Sequence, residues 1–176
     1  LQPGAYNPIL GVELAREAAT LVMLALVGWL ADRRGWVRFA CVMVAFGTWD
    51  IFYYLWLRAF LGWPPSLATL DVLFLIPTGW VGPGWAPCLV SLGLVLCGGA
   101  VALRVGTGGR FAFGRRGWAL ALAGGSLIVL SFLWRGPEAA RGEMPGPFPW
   151  PLFALGMTLG LTAFARAWRR GNGAGK

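Results

Sequence analysis

The stretch LVMLALVGWLADRRGWVRFACVMVAF, residues 21–46, contains two apolar runs separated by the short charged gap DRRG. A helix needs about 20 apolar residues to cross roughly 30 Å of hydrocarbon, and both runs continue beyond the quoted stretch to about that length. A short turn between two such helices makes them antiparallel neighbours. The stretch therefore predicts a transmembrane helical hairpin over residues 10–31 and 38–60.

The composition of the whole chain agrees with a lipid environment. Of its 176 residues, 57% are hydrophobic and only 12% are charged. A soluble domain of this length would need polar side chains over most of its surface. The formal net charge of +8 could suggest nucleic acid as a partner, but the arginines lie in short gaps between apolar runs and do not form one basic face. We therefore expect the lipid bilayer as a partner and no nucleic acid.

Three further runs approach the length of a membrane span, at 85–104, 117–135 and 150–168. The sequence thus predicts an all-α bundle of five transmembrane helices in a single domain, 1–176. A sixth apolar run, LATLDVLFLIP at 67–77, is too short to span the membrane, and the following PTGWVGPGWAP contains helix breakers. With Ser66 as a potential N-cap, 67–77 is predicted to be a re-entrant or interfacial half-helix.

The arginine distribution predicts the orientation, because loops left in the cytoplasm carry excess Lys and Arg. Five crossings with the N-terminus outside and the C-terminus inside place 11 of the 15 basic residues inside. These residues are Arg33, Arg34, Arg38, Arg104, Arg110, Arg115, Arg116, Arg166, Arg169, Arg170 and Lys176. A sixth full span would move four of these arginines outside, so it is rejected. The predicted location is the bacterial inner membrane.

Small residues in the later spans predict close helix packing. Lipid offers little hydrophobic drive for helix association, so close backbone approach must supply the energy. The glycines expected at such contacts are Gly98, Gly99, Gly124, Gly125, Gly156 and Gly160.

An aspartate, Asp50, interrupts the uncharged run GTWDIFYYLW at 47–56. Counting 1.5 Å per residue from the helix ends places Asp50 and Arg16 in the same outer half of the membrane on neighbouring helices. A buried ion is costly unless it is paired, so Asp50 is expected to meet Arg16, directly or through water, with Tyr53 or Tyr54 completing its hydrogen bonds. The complete predicted intramembrane polar cluster comprises Glu13, Arg16, Glu17, Asp50, Tyr53 and Tyr54.

Two interpretations of this cluster remain open. In the first, it is a structural polar lock between the first two helices. In the second, it lines a pocket that opens outwards and binds a solute, an ion or a lipid headgroup, or relays protons. Asp71, in the apolar run at 67–77 that is too short to span the membrane, is a possible further residue of the same outer cavity.

The residue inventory restricts the available chemistry. The chain has no histidine, and its three cysteines, Cys41, Cys88 and Cys97, lack any C-x-x-C spacing. Histidine-based catalysis and histidine metal sites are therefore excluded, and no metal, cofactor or catalytic residue is expected. Acid–base chemistry on lipid by Glu17, Asp50 and Asp71 is a minor alternative, because nothing in the sequence orders them with a nucleophile or a metal.

The motifs GTWDIFYYLWLRAFLGWP, LDVLFLIP and WVGPGWAP, within residues 47–90, resemble a family of small uncharacterised bacterial multi-pass membrane proteins. The resemblance implies no activity and transfers no functional residue. The function expected from the sequence is therefore that of a non-catalytic accessory or scaffold subunit beside other membrane-protein subunits. The alternative is a small transporter or ion and proton relay that uses Asp50, Arg16, Glu13 and Glu17.

Overall fold

The computed structural model of the chain describes residues 8–76 and 78–173. Five long helices, one short helix and a two-stranded sheet make up this part of the chain. In chain order they are α1 (Pro8–Ala31), α2 (Gly35–Leu61), β1 (Leu70–Phe74), β2 (Trp80–Pro83), α3 (Trp85–Gly106), α4 (Arg115–Leu133), α5 (Gly136–Ala140) and α6 (Trp150–Gly173). Pro77 and Lys176, which the sequence analysis used to end the half-helix and to count inner charges, lie outside the described residues.

The five predicted spans coincide with α1, α2, α3, α4 and α6. Within the described residues, four segments are long and apolar enough to cross a membrane: α2, α3, most of α1 and the segment Arg115–Ala140 that contains α4. Helix α6 has 24 residues but is less apolar, with arginines in its last turns. The described part of the chain is therefore mostly helical and has four segments that could cross a membrane, with α6 as its least apolar long helix.

The prediction of a half-helix at 67–77 is wrong. Residues Leu70–Phe74 form β1, which pairs with Trp80–Pro83 of β2 as an antiparallel hairpin. Ser66 begins a turn, since its carbonyl and hydroxyl oxygens accept hydrogen bonds from the amides of Thr69 and Ala68. The physical reason is that a hairpin satisfies backbone groups across the two strands, whereas ten helical residues would leave unpaired groups at both ends. In β1, Leu70 and Val72 are exposed, whereas Asp71, Leu73 and Phe74 are half-buried, so the strand is only partly covered by the rest of the protein.

The helices pack in close pairs at some of the predicted glycines. A Cβ on Gly98 of α3 would lie 2.9 Å from the carbonyl oxygen of Ala40 in α2. In the second pair, a Cβ on Gly124 of α4 would lie 2.7 Å from the oxygen of Gly156 and 2.8 Å from the nitrogen of Gly160, both in α6. These glycines therefore bring backbones together as expected for helices in lipid.

Three of the predicted packing glycines have open space where a Cβ would lie. A Cβ on Gly99, Gly125 or Gly160 would meet nothing within 4 Å, although the backbone of Gly160 itself lies against Gly124. Gly99 and Gly125 each follow a glycine that does pack, and the 100° rotation per helical residue turns them away from the neighbouring backbone. The double glycine identifies the contact region, and only the rotation of the helix decides which member makes the contact.

An apolar cavity of about 410 Å³ lies between the α2–α3 pair and the α4–α6 pair. Leu94 and Cys97 line it from α3, Met43 from α2, and Ala121 and Leu161 from α4 and α6. Aromatic side chains pack together at one end of the bundle, where Trp36 lies 5.1 Å from Phe111 between ring centroids. The two pairs are thus joined mainly near their ends, and their middle sections leave space.

Ten arginines lie at one end of the bundle, which we call the arginine end: residues 32–38, 104–116 and 166–170. Arg34 donates to the carbonyl of Val105, and Arg104 donates to the carbonyl of Trp168. The ends of α1, α3 and α6 and the starts of α2 and α4 therefore lie together. Asp32 is the single carboxylate within these three ranges. The opposite end, which carries the β-hairpin, holds the other six carboxylates of the chain.

We expect Gly124→Val to lower the free energy of unfolding by about 1–3 kcal/mol, because the added side chain would push α4 away from the backbone of α6. Gly125→Val is the matched control: it places the same side chain one residue away, where a Cβ meets open space. Denaturant titration of the purified protein in mixed micelles measures both values. Equal losses for the two variants would contradict the packing of α4 on α6 described above.

Candidate functional site

A polar cavity of about 390 Å³ lies between α1, α2 and β1 near the hairpin end. All six residues of the predicted polar cluster line it, so the structure brings them together. Thr20, Trp49 and residues 72–75 complete the lining. The cavity therefore has one polar helical side, from α1 and α2, and one side formed by the first strand of the hairpin.

Glu17 attaches the hairpin to α1. Its carboxylate accepts a hydrogen bond from the amide of Leu75 at 3.0 Å and one from the amide of Ile76 at 3.4 Å. The residue is buried, with 8% of its surface exposed. These amides follow β1 and have no partner strand at that point, so the carboxylate satisfies backbone groups that lipid would leave unpaired. Glu17 is thus engaged in holding the fold.

Asp71 attaches the other end of β1 to α2. The hydroxyl of Tyr54 donates a hydrogen bond of 3.2 Å to its carboxylate, and the amide of Val72 donates one of 2.8 Å. Burial raises the pKa of the Asp71 carboxyl, and the hydrogen bonds from Val72 and Tyr54 oppose this rise. Asp71 does not line the polar cavity itself, but its partner Tyr54 does.

The expectation of a direct contact between Asp50 and Arg16 is wrong. The carboxylate of Asp50 accepts a 2.7 Å hydrogen bond from the hydroxyl of Ser91 in α3, and both residues are buried. One turn earlier, a Cβ on Gly47 would lie 2.5 Å from the carbonyl oxygen of Ser91. Counting residues gave the depth of Asp50 but not the direction in which its side chain points, and that direction is towards α3. Asp50 therefore joins α2 to α3, and not to α1.

Arg16 instead pairs within its own helix. Its guanidinium lies 2.7 Å from the carboxylate of Glu13, and both side chains are about half exposed. Tyr53 stacks on Trp49, with 6.0 Å between their ring centroids. In the cavity, Glu13, Arg16 and Tyr53 are the predicted cluster residues whose polar groups make no hydrogen bond to another described element. They form the more accessible part of the site.

Ser91 was not among the residues predicted from the sequence, although one signal for it was present. Ser91 precedes Gly98 by seven residues, which is two helical turns and places both on one face of α3. Gly98 was already predicted to pack, so the small hydroxyl of Ser91 was on the packing face. The free amides of Leu75 and Ile76 were also not predicted. Residues 67–77 were expected to form a half-helix, in which these amides would bond to carbonyls of the same helix.

The carboxylates of the cavity differ in their partners. In residues 8–76 and 78–173, no three His, Cys, Asp or Glu side chains come together closely enough to hold a metal ion. Glu17 and Asp50 each accept hydrogen bonds from the protein, which leaves Glu13 as the cavity carboxylate paired only with an exposed arginine. A small polar solute entering the cavity would therefore meet the Glu13–Arg16 pair and the ring of Tyr53.

Comparison of the chain with models of protein families, with curated proteins and with solved structures finds no match. The resemblance to small bacterial multi-pass membrane proteins therefore stays a prediction.

A double-mutant cycle should detect coupling between Asp50→Ala and Ser91→Ala, with an energy of about 0.6 kcal/mol and at most about 1.7 kcal/mol, as for other polar contacts between helices in membranes. The measurement is resistance to unfolding in mixed micelles. The control cycle combines Asp50→Ala with Arg16→Ala, for which we expect additive losses. Coupling to Arg16 and none to Ser91 would overturn the assignment of Asp50 to the α2–α3 contact.

Proposed function

We propose that this chain is a multi-pass protein of the bacterial inner membrane that acts as a non-catalytic accessory or scaffold subunit. The observation that carries the proposal is the use of two buried carboxylates, Glu17 and Asp50, and a half-buried one, Asp71. Glu17 holds the hairpin, Asp50 holds α3 and Asp71 accepts a hydrogen bond from Tyr54. Intramembrane ionisable residues are functional candidates by default. Here, however, each has a partner within the fold, which favours a structural role.

The proposed threading has five spans, with α6 as the fifth, the N-terminus outside and the C-terminus inside. The arginine end supports this orientation, because ten arginines against one carboxylate is the imbalance typical of a cytoplasmic face. The other end supports it too, since Arg135 pairs with Glu138 and Arg141 pairs with Glu143. These local pairs leave little net charge on the side proposed to face outwards.

The surface of α1 is consistent with a subunit that works beside others. Large apolar side chains remain uncovered along it, including Leu26 with 53% and Leu30 with 81% of their surfaces exposed. Such a surface must be covered by lipid or by a neighbouring membrane protein. We propose that other membrane-protein subunits occupy part of the lateral surface of the bundle.

Purification from native membranes in a mild detergent tests this proposal. We expect a second membrane protein to co-purify in constant ratio, and Asp50→Asn to retain it, because an amide still accepts the hydrogen bond from Ser91. Gly124→Val is the control that disturbs packing of the bundle itself. A monomeric chain with no co-purifying protein would contradict the accessory role.

The polar cavity favours a second candidate function, that of a small transporter or an ion and proton relay. The specific observation is the 390 Å³ space whose lining includes Glu13, Arg16, Tyr53 and Asp50. Both side chains of the Glu13–Arg16 pair are about half exposed, so either one can exchange the other for a solute at little cost in free energy.

Flux into liposomes that contain the purified protein tests this second candidate. If the cavity is the pathway, Glu13→Gln and Asp50→Asn should abolish flux of the transported ion or solute. Glu143→Gln is the matched control, because Glu143 also forms a half-exposed pair with an arginine, Arg141, but does not line the cavity. Flux that survives both cavity substitutions would remove the cavity from any transport mechanism.

A further inference from the structure

A second polar cavity, of about 290 Å³, lies at the arginine end between the start of α4 and the last turns of α6. We call it the arginine cavity. Its lining consists of Gly114, Arg116, Gly117, Arg166, Ala167, Arg169 and Arg170. Four cationic side chains from two helices thus surround one concave space, while the lining residues between them are small.

These four arginines have no carboxylate partner among the described residues. Among the described residues, the arginines that form ion pairs are Arg16, Arg34, Arg135 and Arg141. Asp32, the one carboxylate at the arginine end, is held by Arg34, whose hydrogen bonds keep the pKa of Asp32 well below its usual range. Four like charges around one cavity repel each other, so an anion that enters the cavity would relieve an existing cost.

The lack of a side chain on Gly114 leaves space for the guanidinium of Arg170 in this cavity. A Cβ on Gly114 would collide with Nη1 of Arg170. The backbone of Gly114, with φ −82° and ψ 175°, is one that any residue adopts. The glycine is therefore required by the space that Arg170 occupies, and not by the backbone. Gly114 also supplies no side chain to cap α4, so the first amides of α4 are uncapped beside the four arginines.

We propose that the arginine cavity binds the phosphate of an anionic lipid headgroup. Guanidinium groups match phosphate oxygens in planar, paired hydrogen bonds, and the cavity collects four of them. In the proposed threading, on which this inference rests, the cavity lies at the cytoplasmic ends of the fourth and fifth spans, near the depth of lipid phosphates, and basic pockets between helices at that face suit such headgroups. The site is separate from the polar cavity at the hairpin end, and it goes beyond the accessory role.

The test is native mass spectrometry of the detergent-purified protein with added dioleoylphosphatidylglycerol, dioleoylphosphatidylcholine or inorganic phosphate. We expect retention of phosphatidylglycerol over phosphatidylcholine. Arg166→Gln with Arg170→Gln should weaken that retention by roughly 25-fold, at about fivefold per arginine. The matched control is Arg33→Gln with Arg115→Gln, which removes the same charge at the same end from side chains that do not line the cavity.

Gly114→Ala provides a variant with unchanged charge. Its methyl group should displace the end of Arg170 and weaken phosphatidylglycerol retention by about fivefold, with little change in the melting temperature because the clash is with a flexible side chain. If both double variants weaken phosphatidylglycerol retention equally, the effect comes from surface charge alone, and this result would overturn the site. Inorganic phosphate bound without any preference for phosphatidylglycerol would overturn the lipid assignment.

Discussion

The close approach of α2 to α3 is the contact on which the rest of the structure depends. At Gly47 the backbone of α3 comes so near that a single Cβ would not fit, and one turn further Asp50 accepts the hydrogen bond from Ser91. In a bilayer, dispersion and hydrogen bonding, and not hydrophobic burial, hold helices together, so such close contacts stabilise a helix pair. With α2 and α3 held together, the chain between them has both of its ends anchored.

That connecting chain explains why a strand pair occurs in a helical bundle. Residues between α2 and α3 must satisfy their backbone groups without help from lipid, and the β1–β2 hairpin does so across its two strands. Where β1 ends, Glu17 of α1 accepts the remaining amide hydrogen bonds, and Tyr54 of α2 holds Asp71 within the strand. The buried carboxylates are therefore acceptors for the hairpin and the neighbouring helix, and this use underlies the proposed non-catalytic role.

The two ends of the molecule differ in how their charges are used. At the hairpin end each arginine of residues 135–143 pairs with a glutamate, whereas the arginine cavity at the other end collects four cations around an open space. Paired charges need no further partner. The four arginines of the cavity have no carboxylate partner among the described residues and attract anions, which is the basis of the proposed headgroup site.

The sequence by itself determined the mostly helical architecture with segments long and apolar enough to cross a membrane, the positions of the five long helices and the composition of the polar cluster. Each follows from local information: the length of an apolar run, the sites of its breakers and the depth reached at a fixed rise per residue. Only the tertiary structure decided that Asp50 faces Ser91 and not Arg16, that Gly124 packs while Gly125 does not, and that 70–83 contains a hairpin. These outcomes depend on helix rotation and on which backbone groups a neighbour leaves unpaired, and neither quantity is encoded in a single segment of the chain.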